Sequence, residues 1–252
     1  MKSAPIQWPV ELICRHVGVG ELIAFAPEVY RLTCRTDFDA PGFCLLNLGR
    51  ELSSVEFRQA MVELMRAMSG IHEVVAGDSL TYLSAARFDQ QTSTKPHLDG
   101  GPAENFLMLG YEPSEIGSQP AVYDYSRCAL EHGIQPRDVM EKHNPMFRAG
   151  LEMLQPYATE LSCFSSCDYQ ILCINNSCTK IDAARTSWLG ILHTAIVPNP
   201  DESKRRVINS TMICPTRYAL GQTLGKEAIQ EFINTTKVSR RGYDKTHLED
   251  DA

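Results

Sequence analysis

A series of short apolar stretches, each closed by turn residues, leaves this chain few ways to fold. They run from Phe43 to Leu48, Ser79 to Phe88, Asn105 to Tyr111, Tyr169 to Asn175, Ser187 to Val197 and Arg206 to Ile213. Pro41 and Gly42 precede the first, and Pro113 and Ser114 close the third. Stretches of this length, bounded by such residues, read as buried strands rather than helices. The 3.6-residue period is clear early in the chain. Ser53 and Glu56 stand in capping-box spacing, and Val55, Met61, Val62, Leu64, Met65 and Met68 keep one face apolar up to an expected end at Ser69 and Gly70. A second helical region is expected over about residues 117–160, broken by Gly133, Pro136, Pro145 and Pro156, and a short helix near Lys226 to Thr236. The expectation is a mainly β protein with added helices, a β-sandwich or barrel carrying a helical insertion.

Composition places the chain among ordinary globular proteins, with 43% hydrophobic and 22% charged residues. The net charge of -7 is spread through the sequence without long like-charge blocks, which argues against nucleic acid and anionic lipid as partners and for a small-molecule substrate. No apolar run is long enough for a membrane-spanning helix. The start, with Lys2, Ser3, Pro5, Gln7 and Pro9, lacks the apolar core of a signal peptide, so a cytoplasmic location is expected. The nine cysteines are then expected to be reduced and buried. Cys163, Cys167, Cys173 and Cys178 cluster, but their spacing matches no tight zinc knuckle. From Val238 onward the tail reads as disordered. Oligomeric state is not legible.

Chemistry concentrates at His97-Leu98-Asp99. On an extended chain His97 and Asp99 point to the same side, so an imidazole and a carboxylate can share one metal ion. Such a triplet arises often by chance, and Pro96 and Gly100-Gly101 also suit a plain surface turn. His193, inside the apolar run Leu189 to Val197, supplies a third ligand type. Two histidines and a carboxylate occupy one face of an octahedral metal and leave positions for co-substrate and dioxygen. Across a turn containing Pro198, Asn199, Pro200 and Asp201 follow Lys204, Arg205 and Arg206. A hairpin returns Arg206 to the neighbourhood of His193, where a guanidinium grips a carboxylate by two parallel hydrogen bonds.

His-x-Asp, a distant histidine on a strand and an arginine one hairpin later resemble the Fe(II)/2-oxoglutarate-dependent oxygenases, in particular the phytanoyl-CoA-hydroxylase-like and taurine-dioxygenase-like branches. The likeness spans about residues 40–215. It implies a double-stranded β-helix, the jelly roll of cupin-like proteins, over about residues 78–215. An N-terminal part of strands and helix would take up about 1–75 and a C-terminal helix and tail about 225–252, all one oxygenase domain of 252 residues. It further implies Fe(II) on His97, Asp99 and His193, with Arg206 binding the distal carboxylate of 2-oxoglutarate. Succinate and carbon dioxide are the implied by-products of hydroxylation, desaturation or ring formation, with ascorbate as a stimulant. Halogenases of this type resemble the pattern with a small residue in place of the carboxylate, so Asp99 argues against halogenation.

Further residues are placed near the motif by position. Tyr82 and Gln90, with Ser210 on the strand of Arg206, are candidates for the co-substrate pocket. Arg87, Glu104, Asn105 and Arg127 are candidates to meet substrate. Each reads equally well as an ordinary polar strand or turn residue. Tyr111, Tyr123, Tyr125, Arg127 and Arg148 fit a polar, partly anionic substrate under an insertion that acts as a lid. His132 and His143 are expected at the surface, and His16, His72 and His247 have no evident partner. Two rival readings stay open: a cupin-like metal hydrolase, isomerase or 2-oxoglutarate-independent dioxygenase, which has no special need of Arg206, and a non-catalytic jelly-roll binding protein.

Overall fold

A computed structural model describes residues 8–181, 184, 186–221 and 223–241. The chain opens with α1 (Val10–Ile13), β1 (Cys14–His16), α2 (Ala26–Thr33), β2 (Phe43–Asn47) and the long α3 (Ser54–Ala76). Then come β3 (Leu80–Gln90), β4 (Phe106–Tyr111) and β5 (Gln119–Tyr123). Three short helices follow, α4 (Tyr125–Glu131), α5 (Pro136–Lys142) and α6 (Arg148–Leu154). The remaining elements are β6 (Ala158–Glu160), β7 (Gln170–Asn175), β8 (Leu192–Ile196), β9 (Val207–Pro215), α7 (Lys226–Asn234) and β10 (Ser239–Arg241).

The strands form a seven-stranded mixed sheet, β1-β2-β7-β4-β9-β3-β10, and a three-stranded sheet, β6-β5-β8. The fold is β-rich with added helices. Central β4 shows how the layers are built. Phe106 and Met108 point into a core shared with α2, α3 and α7, including Leu32, Phe57, Met61 and Phe232. Leu107, Leu109 and Tyr111 point the other way, into a core shared with Val122 and Ile191 of the small-sheet side. At Gly110 a Cβ would come within 2.4 Å of the Met61 sulfur, so glycine lets α3 press directly on the sheet. A third cluster, around Tyr125, Cys128, Leu154 and Leu192, seats the insertion helices on β8.

Ser53 and Glu56 form the expected capping box, with Glu56 N–H donating to Ser53 Oγ and Ser53 N–H to the Glu56 carboxylate. Ser53→Ala should lower stability by about 0.5–2 kcal/mol in a denaturant melt, the usual range for a lost N-cap. The helix does not end at Gly70. It runs on to Ala76, because the buried face continues through Met68 and His72, which outweighs the roughly 1 kcal/mol cost of an interior glycine. Gly77, at φ +69°, ends it in the left-handed conformation.

The region expected to be helical also needs correcting at both edges. Gln119–Tyr123 and Ala158–Glu160 are strands paired with each other, and β5 pairs with β8 as well, so the helices lie only between them. These segments are too short to carry a period of their own, and the partner strand makes them β. Ser239–Arg241 of the expected disordered tail pairs with β3 instead, while residues 242–252, with His247, lie outside the described residues. Six cysteines are buried free thiols, but Cys163 and Cys178 are partly exposed and Cys167 is exposed. Among the described residues no helix is long and apolar enough to cross a membrane.

Candidate metal centre

The two histidines are brought together by backbone pairing. His97 N–H donates to the His193 carbonyl and His193 N–H to the His97 carbonyl, both at 3.1 Å, an isolated antiparallel bridge beside β8. Residues that exchange both bonds project their side chains to the same face, and here the ring centroids lie 4.3 Å apart. Asp99, two residues on, turns the same way, with Oδ1 3.6 Å from His97 Nε2. The three residues offer ligand atoms within 4.8 Å of one another, the sole such group among the described residues.

The donor chemistry suits a metal ion. His97 Nδ1 lies 2.7 Å from the Lys95 carbonyl. A carbonyl only accepts, so Nδ1–H donates to it and Nε2 is the nitrogen turned toward Asp99, the usual orientation of a metal-binding histidine. Burial, with a smaller contribution from His97, pushes the His193 imidazole down to about 3, so it is neutral. Its Nδ1 is sealed from solvent with no hydrogen-bond partner. A buried polar nitrogen left unpaired costs about 1–3 kcal/mol.

The triad lines a cleft of about 630 Å³, open space at its mouth included. Phe88, Gln90, Thr92 and Thr94 form one side, alternate residues of an extended chain. Leu109, Tyr111, Leu172, Ile174, Ile208, Ser210 and Arg206 from β4, β7 and the β9 region, with Thr194 and Ala195 of β8, complete the lining. β8 pairs with β5 and β9 with β3 and β4, so the hairpin expected between His193 and Arg206 does not form, and the two reach the cleft from different sheets. Arg206 is 4% exposed and shares the cleft with Ser210, whereas Arg205 is exposed and offers its carbonyl to Ser114.

The Arg206 guanidinium donates to the Gln90 carbonyl and Ser118 Oγ, both at 3.0 Å, and lies 5.2 Å from the Tyr111 ring centroid. Burial lowers its pKa, yet a guanidinium stays charged. It takes part in none of the side-chain ion pairs among the described residues. Asp89 accepts its backbone N–H.

Several expected contacts are absent from the cleft, each for a physical reason. A register shift between Tyr82 and Ser84 reverses the facing of β3. Gln90 therefore lines the cleft, and Tyr82 packs into the helix-side core. Arg87 faces that side too, held by the Glu112 carboxylate, which also receives Arg58 and Asn209. Glu104 is 1% exposed, accepts the Trp188 N–H and pairs with Arg217 at 3.1 Å. Asn105 is buried among backbone and amide partners. Arg127 pairs with Asp124 and the Phe38 carbonyl, beside a separate small pocket.

Of the residues suggested for a polar substrate, Tyr111 lines the cleft. Tyr125 is in the core, bonded to the Ser177 carbonyl, Tyr123 packs beside that core, and Arg148 is exposed and paired with Glu152. His16, His132 and His143 are exposed, and His72 is buried with Tyr30 Oη 2.7 Å from its Nδ1. Thr92 and Thr94 at the cleft, and the Lys95 carbonyl beside His97, have no signal in the sequence that marks them. Period-two counting back from His97 is disturbed by Pro96, and a carbonyl has no sequence signature.

No protein-family profile and no curated protein matches this chain. Among solved structures, two of the iron and alpha-ketoglutarate-dependent endoperoxidase NvfI are similar to it. A single-residue variant is 14% identical with a TM-score of 0.41, over 76% of this chain and 83% of that one. The same protein in a different conformation is 12% identical with a TM-score of 0.40, over 76% and 81%.

Proposed function

We propose that the chain is an Fe(II)- and 2-oxoglutarate-dependent oxygenase acting on a small molecule, built as a single jelly-roll domain. One observation carries this: a His-Asp-His triad shares its cleft with a buried guanidinium that has no carboxylate partner among the described residues. A buried charge is costly unless paired. A dicarboxylate entering the cleft supplies the missing anion to Arg206 and has a second carboxylate for the metal side. A metal enzyme without such a co-substrate has no special need of this arginine, whose charge is otherwise favoured by Tyr111 and the nearby Asp89 carboxylate. Iron held by His97, Asp99 and His193 would supply dioxygen activation coupled to conversion of 2-oxoglutarate to succinate and carbon dioxide.

The protein's part is placement. Lys95 orients His97 through its carbonyl, Arg206 orients the co-substrate with Ser210 alongside, and the apolar wall of Leu109, Leu172, Ile174 and Ile208 keeps water out. Purified protein with Fe(II) and 2-oxoglutarate in air should release succinate, and a chelator should stop it. Anaerobic calorimetry should show 2-oxoglutarate binding that strengthens when Fe(II) is present. Metal binding without any 2-oxoglutarate binding would select a different kind of metal enzyme.

Asp99→Gly should abolish substrate oxidation without yielding an efficient halogenase. It opens a ligand position, but outer-shell groups must also orient the halide. Product mass spectrometry with chloride present checks this, and efficient chlorination by the single variant would contradict it.

A further inference from the structure

His97 is held in place by its bridge to His193, but Asp99 has no strand partner and is followed by Gly100 and Gly101. Its side chain is 42% exposed, so packing does not fix the carboxylate either. The backbone bonds that a neighbouring strand would make come from a side chain instead. Asn176, 2% exposed and immediately after β7, accepts the Asp99 N–H on Oδ1 at 2.9 Å and donates from Nδ2 to the Asp99 carbonyl at 2.8 Å. One amide thus exchanges both hydrogen bonds with one residue, as a paired strand residue does.

The orientation of that amide is determined by its partners. Its nitrogen also donates to Asn105 Oδ1 at 2.7 Å, while Asn105 Nδ2 donates to the Pro102 carbonyl at 2.7 Å. Turning either amide over would set acceptor against acceptor. Asn105 is anchored in turn by Ser177, whose Oγ accepts the Asn105 N–H and donates to its carbonyl.

We infer that Asn176, braced by Asn105, is the positioning residue that sets the Asp99 carboxylate for the metal. This rests on the proposed iron site. It assigns Asn105, a candidate for substrate contact in the sequence, to the support of a ligand. Supporting partners of metal ligands typically contribute about 10–100-fold in affinity.

The test is anaerobic titration of the purified full chain with Co(II) alone, reading the dissociation constant and the visible absorption of the bound ion. Asn176→Ala should weaken Co(II) binding by about 10–100-fold and change the spectrum. In an Asp99→Ala background the same substitution should change affinity less than about twofold, since its effect passes through Asp99. Asn105→Ala, one bond further out, should weaken binding more mildly and shift the spectrum the same way, and it serves if Asn176→Ala does not fold. Unchanged affinity and spectrum in a folded variant, or equal loss with and without Asp99, would overturn the inference. Failure of the parent protein to bind Co(II) would instead overturn the metal-site reading itself.

Discussion

His193→Ala should release no iron-dependent succinate and should bind Fe(II) at least about a hundredfold more weakly than the parent, the top of the range for outer-shell partners being a lower bound for a ligand itself. The same is expected of His97→Ala. The informative measurement is the stability of the metal-free variants. Removing a packed side chain usually destabilises, but His193 carries a sealed nitrogen without a hydrogen-bond partner, whose desolvation cost disappears with the ring. Metal-free His193→Ala should therefore melt within a few degrees of the metal-free parent, while Fe(II) should raise the melting temperature of the parent alone. Activity surviving in either histidine variant, or equal stabilisation of parent and variants by Fe(II), would refute the assignment of the triad.

Arg206→Ala should raise the 2-oxoglutarate requirement by at least about tenfold, a loss of about 1.4 kcal/mol or more. Truncating one partner of a buried, hydrogen-bonded charge pair generally costs about 2–5 kcal/mol, so losses well beyond tenfold are expected. Arg206→Lys should recover little, since an ammonium cannot donate at once to the Gln90 carbonyl, Ser118 and a carboxylate in the fork geometry of guanidinium. Arg205→Ala should leave the requirement nearly unchanged, because that side chain is exposed outside the cleft. The quantities to measure are the KM for 2-oxoglutarate in succinate release and its Kd in anaerobic calorimetry. If Arg205→Ala raises both and Arg206→Ala neither, β9 presents its other face to the cleft. If neither substitution matters, the co-substrate is not held by this arginine and the 2-oxoglutarate reading falls.

His97, Asp99 and His193 are legible as a candidate ligand set in the sequence, because residues two apart on an extended chain face one way and a polar histidine breaks an apolar strand. The capping box at Ser53 and Glu56 and the core strands are legible for the same reason: their signals are local. What lies beyond the sequence depends on partners far along the chain. The bulge that sends Tyr82 to the helices and Gln90 to the cleft exists only where β3 pairs with β9. Gln119–Tyr123 is a strand because β8 lies beside it. Arg87 and Glu104 resemble free site charges in the sequence and are consumed by Glu112 and Arg217. Nothing in the local sequence marks Asn176, yet burial makes its amide a backbone partner for Asp99. The sequence alone determined which residue types lie on one face of a local segment. Tertiary structure decided which face meets the cleft and which polar group satisfies which, since a buried donor takes its partner from whatever the fold places beside it.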